Sequence, residues 1–530
     1  VWARVRVPPQ ISIAPWGSTR MDAEVHVRAL EQLDQAALEP YAERLAQLAM
    51  RCSTRSGSVA NTEPTPPQSM PVPALPPTAT LAHKPPPASH VDVSEPGSRL
   101  VLPSEDQATW AHVEEVLRTP VEKLADLDTL QARFAALDRE PRRCSFFADI
   151  PGSEEAGDFD FEAFFATGVP LILAVALEMP ALFAGVQVPI FKTYSSWGER
   201  REFGKKSVSL THRQCACLLA HSFFGSSKRP QDVQPNDFRF TAVDLFIGTA
   251  RSPNSATTFL NYFTMLGKHG IPDGVVTFER QGYRKGPSPW EWAPSEKLLC
   301  PVGIQDGALE DSPADLHAEF ANAYIGGGVM TGDFAMEEIL FLVKPELMVA
   351  MALANRMPDT EAICVSGALQ YSLVSGYGSS FAFAGDYDGR RAGPPPKVCA
   401  IDAVRGGGPA MTEVALLRDL NKARIAFDGA REVATGHWGC GAFGNNHDLM
   451  FLKQWMAASE AGAQKLHYHD FDRRQSHNVV PLSRKLRHLT VGQLWAFLRE
   501  LTSDLEPANV AAFSVRMREV ATGKRKVPTH

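Results

Sequence analysis

Gly326-Gly327-Gly328-Val329-Met330-Thr331-Gly332-Asp333-Phe334-Ala335-Met336-Glu337-Glu338 decides how this 530-residue chain is read. It follows a mostly apolar run at 320–325, and its two adjacent carboxylates open a helical pattern at 339–354. The order is strand, glycine loop, acid pair, helix. Glycines lack Cβ, so their amides approach a ligand closely, and a helix N-terminus offers further N–H groups to an anion. Such a loop suits a diphosphate. The plainer reading is a turn and two solvated glutamates, which the macrodipole favours at a helix start.

Outward from this stretch, short β-rich runs at 275–279, 316–324, 363–367, 398–404, 431–438 and 465–469 alternate with helical patterns at 336–354, 411–423 and 446–460. That alternation predicts an α/β domain with a mainly parallel or mixed sheet flanked by helices. Pro345 predicts a kink or break in the helix that carries the acids. Upstream, 109–140 reads as two helices, 159–183 as more helix, and Thr211 as the N-cap of a helix that stops at Gly225. The expected organisation is an N-terminal segment over 1–104, a helical accessory region over 105–268, an α/β catalytic domain over 269–505 and a tail over 506–530. Within the first segment, 21–50 carries apolar residues at helical spacing, and Pro, Ser and Thr then dominate, which predicts a disordered linker.

Hydrophobic residues make up 44% of the chain, ample material for a sizeable core, and the formal net charge of −7 argues against a strongly basic nucleic-acid-binding surface. Eight cysteines, at 52, 144, 215, 217, 300, 364, 399 and 440, lack metal spacing; Cys215-Ala216-Cys217 is not a C-x-x-C pair. Free, mostly buried thiols in a reducing compartment are expected, and no metal. The most apolar stretch, 169–188, contains Pro170, Glu178 and Pro180 and reads as buried core helix rather than a membrane span. Val1-Trp2-Ala3-Arg4 opens no secretory leader, and the basic cluster Lys524-Arg525-Lys526 reads as part of a solvated tail or an import signal.

The glycine triplet, its spacer and Met336-Glu337-Glu338 resemble the poly(ADP-ribose) glycohydrolase family, in which three glycines precede Gln-Glu-Glu. Residues 210–224, 275–281 and 435–444 carry the same resemblance in the same order, and it extends over roughly 117–501. It implies a macrodomain with helical additions that hydrolyses ribose–ribose O-glycosidic bonds and releases ADP-ribose. Such a bond breaks through an oxocarbenium-like state and needs an acid on the leaving oxygen. Burial and a neighbouring carboxylate both raise a carboxyl pKa, and successive helical residues project about 100° apart, which favours divided roles for the pair. By resemblance, Glu338 is the acid/base and Glu337 holds ribose hydroxyls. Glu319 stands where the family has Asp, and Asn322 matches an Asn that places the ribose, although an Asx turn would also explain it.

The resemblance also implies a second loop, with Gly439, Gly441, Ala442 and Phe443 completing the diphosphate cradle and Phe443 packing on ribose. Gln305 takes the place of a glutamate that reads the adenine amino group, with Asp306 beside it. Tyr371 and Val374 lie in the stretch that stacks on adenine, Val374 in place of a tyrosine, and Phe471 corresponds to a ribose-packing phenylalanine. Met336 replaces the Gln before the acids. No cofactor is implied. The partners implied are poly(ADP-ribose), ADP-ribose and ADP-ribosylated carrier proteins in the nucleus or cytoplasm, with no membrane and no sequence-specific nucleic-acid binding. Two other readings stay open: a catalytically impaired ADP-ribose-binding module, and a dinucleotide oxidoreductase, since 439–444 also spells G-x-G-x-x-G with Asp470 downstream.

Overall fold

One sheet with apolar residues on both faces organises the molecule. The computed structural model describes residues 99–135, 159–191, 193, 203–226, 253–284, 288–329, 334–387, 389, 394–470, 478–503 and 510–527, all within the unit His83–His530. The helix expected at 21–50 and the Pro-rich stretch as far as 98 lie outside the described residues.

The chain first lays down α1 (Gln107–Leu117), α2 (Leu124–Ala135), α3 (Val169–Leu177), β1 (Gly204–Thr211), α4 (His212–Phe224), α5 (Pro253–His269) and β2 (Val275–Gly282). It continues through β3 (Val302–Gln305), β4 (Leu316–Phe320), α6 (Met336–Val343), α7 (Val349–Leu353), β5 (Glu361–Ser366), β6 (Ser372–Ser375), β7 (Ala382–Asp386) and β8 (Lys397–Ile401). The remaining elements are α8 (Glu413–Ala426), β9 (Glu432–Thr435), α9 (His447–Ala461), β10 (Lys465–His469), α10 (Val479–Leu486), α11 (Val491–Thr502) and α12 (Val510–Thr522).

Among the described residues the main sheet has the order β1-β2-β5-β8-β4-β9-β10-β3. β8, β4, β9, β10 and β3 run parallel, while β1, β2 and β5 add an antiparallel flank. Strand side chains alternate between faces, and the two cores follow that alternation. Ile363, Val365, Val398 and Ala400 join α1 to α5 on one face, while Ala362, Cys364, Cys399 and Ile401 join α8 to α12 on the other. Burial on both faces is why these strands read as continuous apolar runs.

Local signals shaped several elements as expected. Thr211 and Gln214 form a capping box at α4, which ends at Gly225 in the left-handed conformation. Asn446 caps α9 through Leu449 N–H. Pro345 ends α6 and begins a 3₁₀ turn, Pro345–Met348, before α7. α3 contributes Val169, Ile172, Val175 and Ala176 to the core, and among the described residues no helix is long and apolar enough to cross a membrane.

Other parts differ from the sequence reading. The helical region contributes β1 to the sheet edge; its lysines and serines hid a strand that buries mainly Val208 and Leu210. β3 and the β6–β7 hairpin were also unforeseen, being short and only partly buried. Residues 510–522, read as a short helix-like run in a polar tail, form a helix docked on the domain, with Phe513, Met517 and Val520 fully buried in the second core. Cys364 and Cys399 are paired as a cross-strand disulfide instead of two free thiols, because the register sets them directly opposite each other.

Candidate active site

Five parallel strands end along one edge of the sheet, where open α/β sheets place their ligands. The loop after β4 carries Asn322 and Gly326 to Gly328, the loop after β9 carries Gly439 to Gly444, and β3 ends at Gln305. β3 lies three strands from β4. At about 4.8 Å per strand, β3 and β4 are about 14 Å apart along this edge.

Both glutamates of the decisive stretch are buried and turn towards the glycine loop. Glu337 Oε2 accepts Asn322 N–H and its Oε1 accepts Gly326 N–H, each at 2.7 Å. Glu338 Oε1 accepts Gly328 N–H at 2.7 Å, and its Oε2 accepts Ala335 N–H at 3.1 Å, which caps α6. Gly327 N–H closes a turn on the Tyr324 carbonyl. The triplet amides therefore hold acids and a turn, and they are not presented to a diphosphate as the sequence suggested. The glycines serve close approach: Gly327 has φ +51°, and a Cβ there would overlap carboxylate oxygens of both Glu337 and Glu338.

Glu319 stands behind the pair on β4, fully buried, and neither of its carboxylate oxygens has a hydrogen-bond partner. Burial, then the nearby Glu310 and Glu338, push its carboxyl well above the usual carboxylate range, against the pull of Lys344. Glu337 is likewise pushed up by burial and by Glu319, although its two backbone donors favour charge. Burial and mutual repulsion thus hold the Glu319 and Glu337 carboxyls above the range of isolated glutamates. Asn322 is exposed, and its side-chain oxygen accepts Tyr324 N–H in an Asx turn at 3.1 Å. Met336 opens α6 half-buried against Leu309, Ala314 and Ala434.

The second glycine loop is built differently. Gly439 is left-handed at φ +67°, and a Cβ there would crowd Ala403 and Asn445. Cys440, Gly444 and Asn445 close internal turns. The amides of Gly441, Ala442 and Phe443 donate to no acceptor among the described residues, and Gly441 and Ala442 are exposed. This loop can complete an anion cradle.

A family model described as poly(ADP-ribose) glycohydrolase, macro domain fold, matches residues 290–478, and one described as its helical domain matches 158–280. A probable poly(ADP-ribose) glycohydrolase 2 of Arabidopsis thaliana is 30% identical over 368 residues, covering 56% of this chain and 69% of that protein. The chain belongs to the poly(ADP-ribose) glycohydrolase family. Poly(ADP-ribose) glycohydrolase 1 of the same plant is 27% identical over 410 residues, covering 60% of this chain and 74% of that protein. A solved poly(ADP-ribose) glycohydrolase from Deinococcus radiodurans in complex with ADP-ribose is 15% identical with a TM-score of 0.23, covering 39% of this chain and 86% of that one.

Other residues matched to the glycohydrolase pattern fall in less open places. Tyr371 is not available to adenine: it is buried, donates its hydroxyl to Glu346 at 3.1 Å and packs edge-on against Tyr262. Val374 lies on β6 and packs half-buried against the first core. Gln305 contacts His467 Nδ1 through its amide at 2.9 Å, while Asp306 is exposed just beyond the strand. Phe471 lies outside the described residues. Among the described residues, Tyr377 on the turn between β6 and β7 is an aromatic left 60% exposed. It belongs to the stretch 370–377 that the resemblance aligns with adenine stacking. Arg405, in the loop after β8, was missed; it precedes a second triplet, Gly406-Gly407-Gly408.

Proposed function

We propose that this chain hydrolyses the ribose–ribose O-glycosidic bonds of poly(ADP-ribose), with Glu338 as general acid and base and Glu337 as the ligand of ribose hydroxyls. The observation that carries this reading is the acid pair, anchored by four backbone donors on a glycine loop in a chain of the glycohydrolase family. Both oxygens of Glu337 are held at 2.7 Å by the loop after β4, which suits a fixed binding group. Glu338 is the slightly more accessible of the two, with one short and one longer contact, and Tyr377 stands near it.

In the reaction, Glu338 donates its proton to the departing ribose oxygen as the bond to the anomeric carbon breaks. The resulting carboxylate then takes a proton from a water that attacks the same carbon, which releases ADP-ribose and restores the acid. Glu337 and Glu319 disfavour a second negative charge beside the donor. ADP-ribosylated proteins are the carriers of the polymer in this reading.

Incubation of the purified protein with poly(ADP-ribose), followed by separation of the products, tests the proposal. Free ADP-ribose is the expected product. Tight polymer binding without product would identify a reader and overturn the hydrolase.

A further inference from the structure

We infer that Arg405 is a phosphate-binding residue of this site, acting with the open amides of Gly441, Ala442 and Phe443 on a diphosphate of the substrate. The inference rests on the proposed reading that an ADP-ribose unit occupies the strand edge, and it adds a residue that the family resemblance does not assign.

Arg405 is exposed in the loop after β8, a strand next to β4 in the sheet. Its guanidinium lies 5.6 Å from the centre of the Phe443 ring, and it forms no ion pair among the described residues. Arginine is always charged and its planar fork matches phosphate oxygens, so an exposed arginine at the strand edge suits an anionic ligand. Three amides without acceptors among the described residues lie on the loop whose Phe443 ring Arg405 faces, so donors and a permanent cation belong to neighbouring loops at the same sheet edge. A diphosphate offers the oxygens that both groups need.

The turn that carries Arg405 is fixed from two sides. Asn445 Nδ2 bridges the carbonyls of Val404 and Gly439, at 2.7 and 3.1 Å, and Gly406 N–H donates to the Phe443 carbonyl at 2.7 Å. A Cβ at Gly406 would overlap the backbone of Gly444, so only glycine lets the two loops meet. From beneath, Asp419 accepts Val404 N–H at 3.1 Å and pairs with buried Lys453 at 2.8 Å, while Arg418 and Lys422 both bind Asp402. These bonds hold the backbone on either side of Arg405 and leave its side chain to the solvent and the Phe443 face.

Calorimetric titration of ADP-ribose and of adenosine into the full chain and into Arg405→Gln and Arg405→Lys tests the inference, with poly(ADP-ribose) turnover measured beside it. Arg405→Gln is expected to weaken ADP-ribose binding about tenfold, flatten its salt dependence and raise KM with kcat nearly unchanged, while adenosine binding stays as in the parent. Arg405→Lys should recover part of the loss, since the charge remains but the fork does not. If the parent binds ADP-ribose and the glutamine variant matches it in affinity and salt dependence, Arg405 is not a phosphate ligand. Equal losses for ADP-ribose and adenosine would likewise overturn it in favour of a structural role. A parent that neither binds ADP-ribose nor cleaves the polymer overturns the functional reading itself.

Discussion

The two glycine loops of this site look alike as letters and differ as objects. The loop at 326–328 spends its amides inward, two on Glu337 and Glu338 and one on its own turn, and its missing Cβ atoms make room for carboxylates. The loop at 439–444 keeps three amides without an acceptor among the described residues, beside an arginine whose guanidinium faces the Phe443 ring. Glycine is thus used in one place to let acids approach the backbone and in the other to let a ligand do so. The first loop builds the chemistry, and the second offers the grip.

The largest effect separates these roles directly. Glu338→Gln keeps the shape and the contact with Gly328 but cannot deliver a proton, so turnover of poly(ADP-ribose) should fall by about 10²–10⁴-fold. ADP-ribose affinity should change little, because the open amides lie on the other glycine loop and Arg405 lies in the loop after β8. Product formation and calorimetric binding, measured on the same preparation, check the split; retained turnover would transfer the acid role to Glu337.

Gly327→Ala attacks the first loop without touching either carboxyl group. The new Cβ would overlap oxygens of both glutamates, in a backbone conformation that alanine adopts only with strain. A displacement of about 1 Å at a catalytic group can cost about 10²-fold, and a fall in kcat of that order is expected. Near-normal kcat would show that the acid pair does not depend on the geometry of this loop.

Much of the fold was legible because its parallel strands are buried on both faces and its helices carry explicit start and stop residues. Thr211 with Gln214, Gly225, Asn446 and Pro345 each act where a local rule places them. β1 was hidden because an edge strand with exposed lysines has little apolar pattern, and the docking of α12 because few of its residues, Phe513, Met517, Val520 and Ala521, reach the core. In the site, the acid pair and its glycines were visible as a local motif. The direction of the amides was not, since whether an N–H meets a ligand or a glutamate depends on side chains ten or more residues away. Tyr371 was misjudged for the same reason: its burial comes from Glu346 and Tyr262, both distant in sequence. The pairing of Cys364 with Cys399 depends on strand register, which spacing alone does not disclose.

A smaller effect concerns the acid behind the first loop, for which the second loop has no counterpart. Burial, followed by Glu310 and Glu338, holds the Glu319 carboxyl well above its usual range. Between an unfolded value of about 4.3 and that raised value, the folded chain binds a proton that the unfolded chain has lost. Its contribution is fully present below about pH 4.3 and is lost as pH rises through the folded value, by at most about 1.4 kcal/mol per unit. Glu319→Gln cannot ionise, so its stability relative to the parent should improve as pH rises from 5 to 7. Denaturant unfolding of both proteins at the two pH values measures this; a constant difference would mean that Glu319 is ionised in the folded state.

The smallest effect belongs to the open loop. A Cβ at Gly441 meets nothing within 4 Å, and its backbone is not in the left-handed region, so alanine fits there without strain. Replacing glycine at such a position removes freedom from the unfolded chain and stabilises by about 0.4–1 kcal/mol. Gly441→Ala should therefore melt at or slightly above the parent temperature, whereas Gly327→Ala should melt below it. The pair of melting curves isolates why each glycine is present, because both substitutions add one methyl to a glycine loop at the same sheet edge. A drop for Gly441→Ala as large as that for Gly327→Ala would mean that the second loop is also held by close internal packing, and that its open amides do not account for its glycine.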